Sequence, residues 1–331
     1  MPAKSPPGRR KGETRKAQPE GTPVTNAYQP QRHAHCHHLP VRGQQLHLHQ
    51  WGSPQPGQPL LLMTHGYMDV GASFQFVVDA MARAGDHAGD GARCIIAPDW
   101  RGFGRSSATA GTDAYWFADY VGDLDALIDA LSPDAPVDLL GHSMGGNVVM
   151  TYAGVRPQRI RRLVNLEGFG LPDLPAAEAP ARLATWLDEL KTPQRLKPYA
   201  SLAAVAQRLQ ANNPRLAADK ALWLAAQWSA PGADGQWHLL ADAAHKRINP
   251  VPYRAADAIA TWQRISAPLL WVQAEGSRLD AHWRGRYSQA EFQQRLAHVR
   301  DVRQLQLADA GHMLHHDQPE ALAAALIGFL R

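Results

Sequence analysis

Gly141-His142-Ser143-Met144-Gly145 constrains this chain more than any other stretch. It follows the apolar run Val137-Asp138-Leu139-Leu140 and precedes Asn147-Val148-Val149-Met150-Thr151-Tyr152-Ala153, a run compatible with a helix. A G-x-S-x-G pattern carries weight only in that strand-turn-helix setting, where it forms a nucleophile elbow. A serine hydroxyl is a weak nucleophile at its own pKa. A site that uses one must hold it clear of the backbone and bring a base within hydrogen-bond reach. Gly141, Gly145 and Gly146 leave room for neighbouring backbone around a strained serine.

Partners for such a serine are found elsewhere along the chain. Leu60-Leu61-Leu62-Met63-Thr64 reads as a short apolar strand running into His65-Gly66-Tyr67-Met68-Asp69, a glycine-containing loop able to aim a backbone N–H at a developing oxyanion. Arg93-Cys94-Ile95-Ile96-Ala97 reads as another buried strand. It ends in the turn-rich loop Pro98-Asp99-Trp100-Arg101-Gly102-Phe103-Gly104-Arg105-Ser106, the kind of segment that carries function on a rigid scaffold. Val302-Arg303-Gln304-Leu305-Gln306-Leu307 alternates as a strand does, and Ala310-Gly311-His312 then places His312 on a loop just beyond it. Asp317-Gln318-Pro319-Glu320 predicts a helix start, with Asp317 as N-cap and Glu320 three residues on.

Taken in order and spacing, His65-Gly66, the Asp99 to Ser106 loop, Gly141-His142-Ser143-Met144-Gly145-Gly146 and Gly311-His312 resemble the α/β-hydrolase superfamily, its lid-bearing branch in particular, over about residues 39–331. The resemblance implies an α/β fold with a mostly parallel, doubly wound sheet and an inserted helical lid. It also implies that Ser143 is the nucleophile, His312 the general base, and the backbone N–H groups of Tyr67 and Met144 the oxyanion hole. The order serine, acid, histidine is that of this fold.

The acid departs from the majority pattern. In most relatives it follows the strand after the lid, here Pro268-Leu269-Leu270-Trp271-Val272-Gln273, and the usual aspartate position falls on Ser277. The preceding core strand, Arg162-Leu163-Val164-Asn165-Leu166, ends in Glu167-Gly168-Phe169-Gly170-Leu171-Pro172. That run resembles the haloalkane dehalogenases, whose catalytic glutamate occupies this place. Glu167 is therefore the expected acid, orienting His312 and stabilising its imidazolium, with Glu275 and Asp280 as competitors. The plainer alternative is a local pair of Glu167 with Arg161 or Arg162.

Helical periodicity replaces strand signals over residues 171–262, the expected lid, which divides a core of residues 30–170 and 263–331. Leu183, Trp186, Leu187 and Leu190 fall on one helical face, as do Leu202, Val205, Ala206 and Leu209. Pro172, Pro175, Pro180, Pro193, Pro198, Pro214 and Pro231 break the segment into short helices. Trp223, Trp228 and Trp237 add large apolar area.

The chain has 331 residues, 45% of them hydrophobic, enough for one large core. No window approaches the run of about eighteen apolar residues that spans a bilayer, and the N-terminus lacks an apolar signal region. With only Cys36 and Cys94, a reducing, cytoplasmic setting is expected. The net charge of +4 tempts a nucleic-acid reading until it is divided. Lys4, Arg9, Arg10, Lys11, Arg15 and Lys16 against Glu13 give residues 1–16 a charge of +5, leaving about −1 for the rest. Residues 1–29 are thus expected to be a disordered basic tail, and nucleic acid is not the expected partner. His33, His35, Cys36, His37 and His38, with His47 and His49 nearby, could ligate a divalent metal, but the spacing fits no finger. Leu46-His47-Leu48-His49 alternates instead as a half-exposed entry strand of a hairpin turning at Gly43.

The expected chemistry is acyl transfer to a small-molecule substrate, with an acyl-enzyme at Ser143 and no metal or organic cofactor. Because position 143 is Ser rather than Asp, the alkyl-enzyme route of dehalogenases and epoxide hydrolases is disfavoured. The same triad serves thioester, amide, lactone and carbon–carbon bond hydrolysis, and a non-catalytic ligand-binding homologue is the reading from another class.

Overall fold

The computed structural model describes residues 27–85, 93–106 and 111–331. Most of the expected basic tail, residues 1–26, lies outside the described residues.

Arg42 and Gly43 both take positive φ (46° and 74°), the two-residue turn whose twist suits a hairpin. They join β1 (His35–Val41) to β2 (Gln44–Trp51). The chain then runs through β3 (Leu61–Thr64), α1 (Gln75–Arg83), β4 (Ile95–Pro98), α2 (Phe117–Leu131), β5 (Val137–His142), α3 (Met144–Val155) and β6 (Ile160–Leu166). An insertion follows, built from α4 (Ala179–Leu190), α5 (Leu202–Asn212), α6 (Ala218–Trp228) and a short hairpin of β7 (Ser229–Pro231) and β8 (Trp237–Leu239). The remaining elements are α7 (Ala255–Trp262), β9 (Leu269–Ala274), α8 (Leu279–His282), α9 (Gln289–Leu296), β10 (Val302–Leu307), α10 (Leu314–Asp317) and α11 (Pro319–Leu330).

Eight strands form one sheet in the order β1-β2-β4-β3-β5-β6-β9-β10, parallel from β4 to β10 and antiparallel where β2 meets β1 and β4. Alternate strand residues point to opposite faces, and both faces are covered. Leu62, Ile96, Leu139 and Leu163 pack with Leu124 of α2 and Val149 of α3, whereas Leu61, Ile95, Leu140 and Val164 pack with Val77 of α1 and Leu326 of α11. The sheet is therefore doubly wound. Among the described residues, no helix is long and apolar enough to cross a membrane.

The insertion sits over the C-terminal ends of the strands. Val205 and Leu209 of α5 and Leu224 of α6 bury Phe76 of α1 between them and the core. His245 fastens its other end, stacked between Phe103 and Tyr115 with ring centroids 3.7 Å from each.

Several expectations shift. Tyr28 belongs to the folded body, because its hydroxyl donates to Asp79 and its ring packs edge-on against Phe76 and Trp223. The folded chain therefore begins before the expected boundary at Gln29. Helix α7 is a core element rather than lid: Trp262 joins the main core, and a Cβ on Gly154 of α3 would run into the Thr261 carbonyl. The β7–β8 hairpin interrupts the helical insertion. The histidine face of β2 is buried, not half-exposed, since Asp99 lies against both His47 and His49. Asp317 does not cap a helix. It closes α10, and Pro319 starts α11 behind Gln318.

Candidate active site

Ser143 stands between β5 and α3 at φ 54° and ψ −114°, a conformation that costs a side-chain-bearing residue roughly 1–3 kcal/mol. Its surroundings hold it there. The Ser143 N–H donates to the Leu166 carbonyl (2.8 Å), and a Cβ on Gly141 or Gly145 would collide with the carbonyl of Gly145 or Thr64. The half-buried hydroxyl lies 3.0 Å from Nε2 of the exposed His312, and His312 Nδ1 lies 3.2 Å from Glu167 Oε2. A carboxylate can only accept, so Nδ1 carries the proton and Nε2 accepts from Ser143.

Glu167 is 2% exposed and itself at positive φ (59°), in a turn clamped by Asn165, whose side chain accepts the Gly168 N–H (2.9 Å) and donates to the Gly168 carbonyl (3.1 Å). Its Oε1 accepts the Ala274 N–H (2.7 Å), and its Oε2 also accepts the Ser277 hydroxyl. The residue at the usual aspartate position thus supports the displaced carboxylate. The competitors serve as local braces: Glu275 accepts the Asp309 N–H (3.1 Å) and Asp280 the Gln289 N–H (3.2 Å). The alternative arginine partners are engaged elsewhere, Arg161 with Asp138 and Arg162 over the Phe329 ring.

The His312 loop is pinned at two points. Asp317 accepts the Gly311 N–H (2.8 Å) while also taking the side-chain amide of Asn213 from the insertion (2.7 Å), and His142 Nε2 donates to the His312 carbonyl (2.8 Å). The opposite loop passes hard against the elbow: a Cβ on Gly66 would lie 3.1 Å from both His142 Nδ1 and Ser143 Cβ. His65 sets that loop, donating from Nδ1 to the Gly66 carbonyl (2.7 Å) and accepting the Trp100 N–H at Nε2 (2.9 Å). Burial pulls its pKa down to about 4, so it stays neutral. Tyr67 follows Gly66 and lines the same cavity as Ser143, and Met144 opens α3, where helix N–H groups lack intrahelical acceptors. Of the six non-glycine residues with positive φ among the described residues, Met68, Ser143 and Glu167 surround this one spot. Backbone strain concentrates where geometry is functional.

Residues 59–319 match the family model described as the alpha/beta hydrolase fold. The chain is an α/β hydrolase. It is 30% identical over 287 residues to the 3-hydroxybutyrate-oligomer hydrolase of Cupriavidus necator, spanning 84% of this chain and 90% of that protein. An epoxide hydrolase of Caballeronia sordidicola is 34% identical over a shorter stretch, 39% of this chain and 35% of its own length. Among solved structures, the thioesterase domain from the curacin biosynthetic pathway superposes with a TM-score of 0.76 at 27% identity, covering 89% of this chain and 99% of that one.

The hydrolase has a cavity of about 200 Å³ at Ser143 and His312, walled on the insertion side by Leu209, Leu216, Leu224 and Trp228. Its floor holds a polar group that the sequence pattern did not disclose. Asp69, His142 and His316 line the cavity, with His315 directly behind. Burial pushes Asp69 up to about 7, drives His142 and His315 well below the usual imidazole range, and takes His316 down to about 3. Of the histidines singled out near the N-terminus, His47 and His49 alone converge on an acid among the described residues, Asp99. Burial opposes charge on His49, but hydrogen bonds with Asp99 and Cys36 outweigh it and hold its pKa at about 9. Hydrogen bonds from His47 and His49 in turn draw the exposed Cys36 thiol down to about 6, while Cys94 is buried.

Proposed function

We propose that this hydrolase cleaves carboxylic esters of short acids through an acyl-enzyme on Ser143. The observation that carries the reading is the hydrogen-bonded series Ser143, His312 and Glu167, opening on a small, largely apolar cavity. His312 Nε2 takes the Ser143 proton as Oγ attacks the acyl carbonyl, and Glu167 stabilises the imidazolium. The amides of Tyr67 and Met144 hold the oxyanion. His312 then protonates the departing alcohol and activates the water that releases the acid. Every proton moves among Ser143, His312, substrate and water, so the cycle needs no cofactor.

The similarity to a 3-hydroxybutyrate-oligomer hydrolase supports an ester substrate, since such an oligomer is joined by ester bonds. The partial match to an epoxide hydrolase does not redirect the chemistry: a serine alkoxide at position 143 forms an acyl ester, and the alkyl-enzyme route needs a carboxylate there. A cavity of about 200 Å³, below the roughly 300–1,000 Å³ of common ligand pockets, favours a short acyl group. In this reading the insertion acts as the lid, and the free thiols of Cys36 and Cys94 suit a reducing, cytoplasmic setting.

Turnover of p-nitrophenyl acetate and butyrate tests the proposal. Ser143→Ala should lower kcat about a thousandfold or more with the fold intact, and a fluorophosphonate should label Ser143. Labelling at Ser106 would sink the assignment, because that hydroxyl is committed to the Asp99 carbonyl and the His47 N–H. Thioester turnover without ester turnover would keep the nucleophile and change the substrate class. Tight binding without turnover would make the protein a ligand-binding homologue.

A further inference from the structure

Beneath the cavity floor, three side chains from separate elements converge: Asp69 from the loop after β3, His142 at the end of β5, and His315 in α10. Their candidate ligand atoms all lie within 4.8 Å of one another, and the three residues are 3%, 1% and 0% exposed. Among the described residues, Asp69 Oδ2, His142 Nδ1 and both ring nitrogens of His315 have no hydrogen-bond partner. The approach of His315 Nε2 to Asp69 Oδ2 is 3.9 Å, beyond hydrogen-bond range. Buried polar atoms are seldom left this way.

The bonds made by the outer atoms fix what the inner ones offer. His142 donates from Nε2 to the His312 carbonyl, so its Nδ1 carries a lone pair. Asp69 Oδ1 takes the Val70 N–H, the Ser73 hydroxyl and the Trp228 indole N–H, which locks the carboxylate with Oδ2 turned inward. Two acceptors thus share one space, and neutral His315 adds one lone pair and one N–H, neither of which finds a partner. One cation between the three residues would satisfy the unpaired lone pairs together.

We propose that Asp69, His142 and His315 bind one divalent cation of the zinc class. Two imidazole nitrogens with one carboxylate oxygen suit a borderline cation, whereas magnesium and calcium favour oxygen ligands. Zinc bonds of about 2.0–2.2 Å set tetrahedral ligand atoms roughly 3.4 Å apart, so atoms that now lie within 4.8 Å of one another must close by up to about 1.4 Å. Asp69 and His142 line the cavity, which gives the ion an entry path and leaves an open position facing Ser143. The other His and carboxylate group makes a useful contrast. There, His47 Nδ1 and His49 Nε2 already face Asp99 at 3.0 and 3.4 Å, so a cation would have to displace existing pairs.

Occupancy would suppress hydrolysis. The His142 and His312 ring centroids are 4.9 Å apart, so a divalent charge on His142 opposes the imidazolium that His312 must form. This regulatory consequence rests on the proposed acyl-transfer function; cation binding does not.

The test is zinc titration of the chelator-stripped full chain by calorimetry, alongside ester turnover. One equivalent should bind to wild type, Ser143→Ala and His47→Gln, and be lost in His315→Gln. Zinc should reduce wild-type kcat by about tenfold or more, reversibly with chelator, and leave His315→Gln unaffected. X-ray absorption of zinc-loaded wild type needs no variant and should show a nitrogen and oxygen shell with two imidazoles. No zinc uptake, uptake that survives His315→Gln, or a sulfur ligand from Cys36 would overturn the site. Zinc uptake in a protein that turns over no ester would keep the site and remove only its regulatory role.

Discussion

Strands β6 and β9 lie side by side and parallel, with Leu163 opposite Leu269 and Leu166 opposite Val272, yet their ends contribute differently. The end of β6 turns sharply at Glu167, clamped by Asn165 and Gly168, and presents a carboxylate to His312. The end of β9 presents Ser277, whose hydroxyl donates to that carboxylate, and the backbone N–H of Ala274, which does the same. One strand supplies the charge and its neighbour supplies the donors that hold it. On the proposed acyl-transfer reading, what His312 requires is a carboxylate oxygen at Nδ1, and here the end of β6 brings it there.

Glu167→Gln should break this comparison hardest. The amide keeps the shape but favours the wrong histidine tautomer, so kcat should fall at least about a hundredfold with an unchanged circular dichroism spectrum. A variant near wild-type turnover would return the acid to β9. Moving the acid sharpens the contrast: Glu167→Ala combined with Ser277→Asp should recover about tenfold over Glu167→Ala alone, and no recovery would mean that the β9 end cannot aim a carboxylate at His312. Ser277→Ala alone removes one donor from a buried carboxylate and should cost about three- to tenfold in kcat; an unchanged rate would show that Ala274 alone holds Glu167. Glu275→Gln and Asp280→Asn are expected to change kcat by less than about threefold, because among the described residues their carboxylates accept the backbone N–H groups of Asp309 and Gln289 rather than the His312 ring. A large loss in either would expose a contribution from the β9 side that the geometry does not show.

Two insertion helices with patterned apolar faces show where periodicity stops being informative. Both α4 and α5 repeat apolar residues at helical spacing, yet Val205 and Leu209 of α5 are buried, whereas Leu183 and Leu187 of α4 are 46% and 47% exposed. Pattern predicts a helix and a face. Only the docking of α5 and α6 onto Phe76 decides which face finds a partner.

By itself the sequence determined what short-range pattern encodes: the strand, turn and helix around Ser143, the loop carrying His312, the Gly43 hairpin and the apolar strands of the sheet. Each follows from steric and burial rules acting over a few residues. The tertiary structure alone decided that Ser277 buttresses Glu167, that Asp317 pins the His312 loop instead of capping a helix, that Tyr28 docks on Asp79, and that Asp69, His142 and His315 meet beneath the cavity. Those outcomes depend on hydrogen-bond direction and burial between segments distant in sequence. Such terms exist only once the sheet has brought its strand ends together.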